Sequence, residues 1–336
     1  MSRVYFDNAA TTPINEQALA AFVEEARVLG NPSSLHTFGR NTRKDLESSR
    51  ERLASLIGAH SSEIIFTGSG TEANNLAIKG IFWKRRAEDS RRTVVVISAF
   101  EHHAVLDPAK WLAEKEGAEV IEIPVSNEGV IDLDFLNNLV ANRGAEIALI
   151  SVMHSNNETG ALQPISEVIK IAGEIPVHCD AVQSLGKVPL EFAGLTAMTI
   201  NAHKLGGPIG IGALVLKRGI DIPALLHGGG QEREIRSGTL NAPLAAAFAA
   251  VLDNYPSSKI NDLKSRLISG INSGIKDCII NTISNSLPGI VNVTIPGAKG
   301  ETLLLLLDLE GIACSTGAAC SAGVHRPSHV LMAKIG

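Results

Sequence analysis

The chain has 336 residues, 45% hydrophobic and 19% charged, the composition of a folded protein with a sizeable core rather than a disordered, collagen-like or coiled-coil chain. Thirty Lys and Arg against 35 Asp and Glu give a net charge of -5, with no basic excess to neutralise a phosphate backbone, so direct nucleic-acid binding is not expected. The apolar run at 303–307 is far short of a bilayer span, MSRVYFDNAATTP carries no apolar leader segment, and four cysteines without a C-x-x-C pair suit neither a disulfide scaffold nor a zinc site. A cytoplasmic protein with reduced thiols, no membrane association and no metal is expected.

In chain order, residues 40–57 set Leu46, Leu53, Ala54 and Ile57 among charges, the spacing of an amphipathic helix. Ile64, Ile65 and Phe66 form a short apolar strand that enters the turn Thr67-Gly68-Ser69-Gly70-Thr71. A helix over 72–86 follows, with Ala73, Leu76, Ala77, Ile81 and Phe82 at helical spacing. Such a turn leaves backbone N–H groups at a helix N-terminus, where the dipole favours an anion. It is either a phosphate cradle or a plain tight turn, since it matches neither the dinucleotide nor the Walker A pattern. Residues 93–98, 120–124, 147–152, 177–180, 198–201 and 211–216 read as buried strands, with helices over 104–116, 133–142 and 165–172 between several of them. Strand, helix, strand repeated in this way needs long crossovers and burial on both faces, which predicts an α/β fold with a doubly wound, mostly parallel sheet. After a glycine-rich stretch at 227–230 and an alanine-rich one at 242–252, the break Tyr255-Pro256-Ser257-Ser258 marks a boundary near 255 to a smaller C-terminal domain. No internal repeat is present.

Lys204 follows the strand at 198–201 and precedes a glycine-rich loop. At the carboxyl end of a strand it would face the crevice where open α/β sheets bind ligands, and desolvation there would let it form a Schiff base with a carbonyl; the alternative is a solvated loop lysine. Asp180 ends the strand at 177–180 among residues too apolar to leave a carboxylate unpaired. Its cation is either a protonated pyridine nitrogen, as in pyridoxal phosphate enzymes, or a structural ion-pair partner. His102, in Glu101-His102-His103, could stack on a flat cofactor, act as a base or fill space, and two adjacent imidazoles pointing apart make no metal site. Cys314 and Cys320 lie in the small-residue sequence CSTGAACSAG. That context suits an accessible thiol attacking as thiolate, with an inert cysteine or a redox disulfide as alternatives.

The motifs YFDNAATTP, GNPSSLHTFGR, TGSGTEANNLAIKG, EHHAVL, MHSNNETGALQPI, HCDAVQSLGK, AHKLGGPIGIGAL, RSGTLNAP and STGAACSAG run from residue 4 to about 332. Their order and wording resemble the pyridoxal phosphate-dependent cysteine desulfurases of the NifS/IscS type, within the aminotransferase class V family. The resemblance implies the PLP-dependent transferase fold (fold type I), with a large cofactor domain over 15–254 and a small α+β domain from 1–14 and 255–336. It also implies L-cysteine as substrate, a homodimer, and a persulfide passed to an acceptor protein for iron–sulfur cluster assembly or tRNA thiolation.

Residue by residue, the resemblance implies that Lys204 holds the cofactor and moves the substrate α-proton, Asp180 keeps the pyridine nitrogen protonated, and His102 stacks on the ring. Gln183 would bond the ring oxygen, and Asn156 the ring oxygen and substrate carboxylate, with Asn31 a further substrate contact. Gly70, Thr71, Asn201 and His203 would bind the phosphate, joined by Thr239 from the neighbouring subunit, and Cys320 would be the nucleophile that takes the sulfur. Cys314 is off the family position and is expected to be a structural or accessory thiol. Asn201 stands where the family commonly has serine, and Arg326 where glutamate is usual. Family chains continue past SHVL to an arginine that binds the substrate carboxylate, whereas this sequence stops at Gly336. The small domain is therefore expected to be cut short, and the alternatives are a selenocysteine lyase or a cofactor-binding, non-catalytic dimer partner.

Overall fold

The structure is a computed structural model that describes residues 3–252, 255–317 and 328–335. Strand β1 (Val4–Tyr5) precedes helices α1 (Glu16–Ala26) and α2 (Thr37–Leu56). The chain then alternates through β2 (Ile64–Thr67), α3 (Gly70–Glu88), β3 (Val94–Ser98), α4 (His103–Glu116), β4 (Glu119–Ile123), α5 (Leu133–Arg143), β5 (Ile147–Ser151), α6 (Ile165–Ala172) and β6 (Val177–Asp180). Next come β7 (Ala197–Asn201), β8 (Gly212–Leu216), α7 (Ala242–Ala249) and α8 (Ser257–Gly274), followed by β9 (Ile279–Ile280), β10 (Val293–Thr294), α9 (Gly300–Leu309), β11 (Ile312–Ala313) and α10 (His329–Ile335). The expected strands and helices of the central region are all present, shifted by a residue or two at their ends, the usual scatter of frayed boundaries.

Strands β2 to β8 form one sheet in the order β2-β8-β7-β6-β5-β3-β4. Only β8 is reversed, antiparallel to both β2 and β7. The link between β7 and β8 is too short for a crossover helix, so the chain must return antiparallel. Strands β3, β5, β6, β7 and β8 are buried along their whole length, because helices cover both faces. In β3, Val94 and Val96 join Leu46, Leu53 and Phe248 in one core, while Val95 and Ile97 join Leu76, Ile81 and Phe82 in the other, the two-residue alternation of a pleated strand. Edge strand β4 carries Glu119 and Glu122 on its open positions, charges that discourage pairing with another chain.

The topology gathers chain ends at one edge. Since β8 runs opposite to both neighbours, β2 points the same way as β7, and β7, β6, β5 and β3 are parallel. The carboxyl ends of β2, β3, β5, β6 and β7 therefore share one edge of the sheet, the place where open α/β sheets bind ligands. Away from the sheet, β1 pairs in parallel with β11, Val4 opposite Ile312 and Tyr5 opposite Ala313. Among the described residues no helix is long and apolar enough to cross a membrane.

The loop before α7 is anchored by a buried ion pair. Arg50 Nη1 and Nη2 each donate to the Glu232 carboxylate at 2.8 Å, Arg50 Nη1 also reaches Ile64 O at 2.6 Å, and Phe66 N donates to Glu232 Oε2 at 2.8 Å. Glu232, Arg233 and Glu234 all hold positive φ of 45°, 61° and 62°, which costs about 1–2 kcal/mol per residue without glycine. The bidentate pair and the strand N–H hold that strained turn against β2. Glu232→Ala would strand a buried guanidinium and is expected to lower unfolding free energy by about 3–5 kcal/mol. Glu47→Ala removes only the exposed partner of Arg50 and should cost less than about 1 kcal/mol in the same urea titration.

Candidate active site

Asp180 ends β6 with 6% exposure. Its Oδ1 accepts from Val182 N at 3.0 Å and its Oδ2 from Asn74 Nδ2 at 2.6 Å. Burial pushes its carboxyl above the usual carboxylate range, while Val182 N–H, the His102 ring, Asn74 and the Lys204 ammonium pull it back. Asn74 comes from the buried face of α3, and its signal in the sequence is a polar residue among Ala73, Leu76 and Ala77 on that face.

Lys204 enters from the loop after β7. Its Nζ donates to Ala9 O at 2.5 Å and Ala10 O at 2.6 Å. The N-terminal DNAATTP segment thus walls the site: Thr12 Oγ1 donates to His203 O at 2.7 Å, Gly206 N donates to Thr12 Oγ1 at 2.7 Å, and Gln183 Nε2 donates to Ala9 O at 2.9 Å. His203 Nδ1 meets Thr11 Oγ1 at 3.1 Å, and burial with the nearby Lys204 and Lys187 ammonium groups lowers its pKa to about 4. Backbone carbonyls leave no signature in a sequence, so the roles of Ala9 and Ala10 were not legible there.

The turn after β2 has the geometry of an anion cradle. Ser69 caps α3, its Oγ accepting from Glu72 N at 3.1 Å and its carbonyl from Ala73 N at 3.1 Å. This leaves the N–H groups of Gly70 and Thr71 without a partner among the described residues. A side chain at Gly212 of β8 would come within 2.7 Å of Ser69 C and 2.9 Å of Gly70 N, so glycine is what lets the turn sit directly on the sheet. Asn201 accepts from His203 N through Oδ1 at 3.1 Å, and its Nδ2 is the polar atom nearest to a Cβ at Gly70. The amide therefore offers its donor at the cradle. Glu72 bonds Gly68 N at 2.7 Å and Arg236 Nε at 2.8 Å, tying the cradle to the loop that carries exposed Thr239.

His102 caps α4, its Nδ1 accepting from Ala104 N at 3.0 Å, which leaves Nε2 to carry the ring proton. Burial holds this imidazole below its ordinary range, with Asp180 pulling it up and Lys204 pulling it down. Asn156 is 1% exposed; its Oδ1 accepts from Glu158 N and Thr159 N at 2.9 Å each, and its Nδ2 donates to Phe100 O at 3.2 Å. Its amide mainly shapes the turn after β5. Asn31 is exposed, with Oδ1 accepting from Ser33 N at 2.9 Å, and has no hydrogen bond to the Lys204 cluster among the described residues. Cys320 and Arg326 lie outside the described residues. Cys179 is buried and Cys314 half-buried, both as free thiols whose pKa burial raises. Among the described residues no cluster of His, Cys, Asp and Glu is fit to hold a metal.

The aminotransferase class-V family model matches residues 4–335. An IscS-like cysteine desulfurase of Mycobacterium tuberculosis is 44% identical, over 98% of this chain and 86% of its own. The chain belongs to the NifS/IscS cysteine desulfurases of aminotransferase class V. The cysteine desulfurase NifS of Azotobacter vinelandii is 38% identical over 99% of this chain and 84% of its own. A solved NifS-like protein superposes with TM-score 0.87 at 35% identity, covering 99% of this chain and 89% of that one.

Members of this family use pyridoxal phosphate, and the site of this cysteine desulfurase has the matching donor set. Asp180 offers a buried carboxylate for a pyridinium nitrogen, Lys204 an amine for the aldehyde carbon, and the Gly70 and Thr71 N–H groups a helix N-terminus for the phosphate.

Glu101, next to His102, was not singled out in the sequence. It is fully buried, with Oε1 accepting from Ser98 Oγ at 2.5 Å and Met153 N at 2.7 Å, while Oε2 has no partner among the described residues. Burial drives its pKa up to about 8, opposed by the Ser98 hydrogen bond. The folded state thus favours the neutral acid, so the contribution of Glu101 to stability is full below the ordinary carboxylate pKa and is lost as pH rises through about 8. Glu101→Gln keeps an acceptor for both donors without titrating. Urea unfolding should show this variant gaining roughly 3 kcal/mol relative to the parent as pH rises from about 5 to 8; a difference independent of pH would contradict the assignment.

Proposed function

We propose that this protein takes sulfur from L-cysteine, leaves L-alanine, and passes the sulfur as a Cys320 persulfide to an acceptor protein. The observation that carries the reading is the meeting of Lys204 and Asp180, from the ends of neighbouring strands β7 and β6, beside N–H groups at the start of α3 that have no partner among the described residues. When bound, pyridoxal phosphate supplies an electron sink for bond changes at the substrate carbons.

The chain's own residues do the rest. Asp180, steadied by Asn74 and Val182 N–H, holds the proton at the pyridine nitrogen. Gly70 and Thr71 N–H, with the Asn201 amide and His203, bind the phosphate. The His102 ring, fixed by its cap on α4, would pack against the cofactor ring, and Gln183, beside Ala9, would offer its amide to the same pocket. Lys204 Nζ, already among carbonyl acceptors, moves the proton at the substrate α-carbon. Cys320 Sγ attacks the substrate sulfur as thiolate: a sulfur–sulfur bond forms, the carbon–sulfur bond breaks, and its electron pair stays on carbon, which takes a proton to give alanine.

The reading extends to a homodimer, supported by exposed apolar side chains at Leu29 (75% exposed), Leu35 (87%), Phe38 and Ile209, more than a lone surface favours. Thr239 of the second subunit would then complete the phosphate site. Residues 15–254 would form the cofactor domain, and 1–14 with 255–336 the smaller one, a division supported by the pairing of β1 with β11. A cytoplasmic setting fits a reaction that needs a reduced Cys320, and the acceptor would serve iron–sulfur cluster assembly or tRNA thiolation.

Incubated with pyridoxal phosphate, L-cysteine and a reductant, the protein should release alanine and sulfide. Cys320→Ser should lower sulfide release at least about a hundredfold while the cofactor absorbance stays in place. A variant as fast as the parent would refute the persulfide route.

A further inference from the structure

Lys187 is a buried lysine with no place in the chemistry above. The turn after β6 is wound like a helix: Ser184 N and Leu185 N donate to Ala181 O at 3.0 and 3.1 Å, and Lys187 N donates to Ser184 O at 3.0 Å. Gln183 and Lys187, four residues apart, therefore lie on one side of it. Gly186 holds a φ of 69°, and a Cβ there would come within 2.6 Å of Leu205 Cδ2, so the turn rests directly on the residue after Lys204. From the other side Ser257, the first residue of α8, donates from Oγ to Lys187 O at 2.8 Å. Lys187 is only 7% exposed, and among the described residues no carboxylate pairs with it. Its Nζ meets Gln183 Oε1 at 3.4 Å and lies 5.8 Å from the centre of the Tyr255 ring.

These contacts tie Lys187 to Lys204 through one amide. An ammonium only donates and a carbonyl only accepts, so Lys187 and Ala9 O together fix which end of Gln183 is which: Oε1 faces Lys187, and Nε2 faces Ala9 O at 2.9 Å. Lys204 Nζ donates to the same Ala9 O. Burial, with the nearby Lys204 charge, lowers the Lys187 pKa to about 8, which leaves the ammonium form dominant at about pH 7. The other titratable groups around the two lysines are Asp180 at the end of β6, His102 at the start of α4, His203 in the Lys204 loop and Tyr255. Asp180 favours an ammonium at Lys204, and burial shifts both imidazoles toward their neutral forms, so Lys187 is the positive group that opposes Asp180.

We propose that Lys187 is a positioning residue for Lys204: its ammonium sets the Gln183 amide that shares Ala9 O with Lys204, and as a buried like charge it favours the neutral amine there over a second ammonium. Two ammonium groups held out of water repel, which favours the loss of one proton, and the neutral amine is the form that attacks an aldehyde. The role rests on the reading of Lys204 as the amine that meets pyridoxal phosphate.

The test uses the full chain and the variants Lys187→Met, Lys187→Gln, which keeps a donor for Gln183 without the charge, and Lys187→Arg, which keeps both. Acetic anhydride acetylates only neutral amines, so its initial rate on the Lys204 peptide of cofactor-free protein, read by mass spectrometry, follows that form without any turnover. At about pH 7 both neutral variants should lower the Lys204 rate at least about threefold, and Lys187→Arg should stay within about twofold of the parent. At about pH 10, where Lys187 itself is neutral, the parent and the neutral variants should agree. With pyridoxal phosphate added, the rate at which borohydride fixes the phosphopyridoxyl group on Lys204 should fall by the same factor at the lower pH. Neutral variants that match the parent at the lower pH would overturn the assignment. So would an arginine variant no better than methionine, or a deficit that persists at the higher pH, the mark of a structural defect. A parent that takes no phosphopyridoxyl label on Lys204 would refute the reading of the site, and the acetylation rates would still decide the role of Lys187.

Discussion

Asp180 sits at the end of a central strand, 6% exposed, and a carboxylate there is costly unless donors and positive charge surround it. Much of the site answers that constraint. Asn74 turns inward from α3 and Val182 N–H closes the turn after β6, while His102 and Lys204 bring electrostatic support from the ends of β3 and β7. The sheet makes this possible: β7 lies beside β6 in the same direction, and the reversal of β8 returns β2 to that direction so that α3 starts at the same edge. Moving any of these strands would leave the carboxylate buried without its partners.

The walls of the site come from segments without regular structure, held by long-range bonds. Residues 11–15 clasp the Lys204 loop through Thr12, Thr11 and Asn15 N, which donates to Gly206 O at 2.8 Å. The loop carrying Thr239 is pinned by Glu232 to Arg50 and by Arg236 to Glu72. Loops on a rigid scaffold can differ in role without disturbing the sheet. Here the buried ion pair serves the scaffold, and the carbonyls of Ala9 and Ala10 serve the lysine.

What the sequence made legible follows from local physics. Runs such as the valines of β3 or the apolar spacing of α3 state their burial directly, and Lys204 and Asp180 were visible because strand ends in an α/β sheet are predictable. The glycine turn was ambiguous as sequence and became a cradle only once β8 was seen to pass beneath it at Gly212. Partners distant in sequence stayed hidden: Arg50 and Glu232 are 182 positions apart, and no periodicity links them. Asn156 and Asn31 also bond the backbone of their own turns, local contacts that a motif does not display and that follow from the readiness of asparagine to bond nearby backbone.

We propose that Lys204, rather than the buried Lys187 nearby, is the amine that meets the cofactor aldehyde. Lys187 is the natural competitor, since burial lowers its pKa to about 8 and a neutral amine is the reactive form. Protein equilibrated with pyridoxal phosphate, reduced with borohydride and digested should carry the phosphopyridoxyl mass on the peptide containing Lys204. A label on Lys187 instead, or no stoichiometric label at all, would contradict the account.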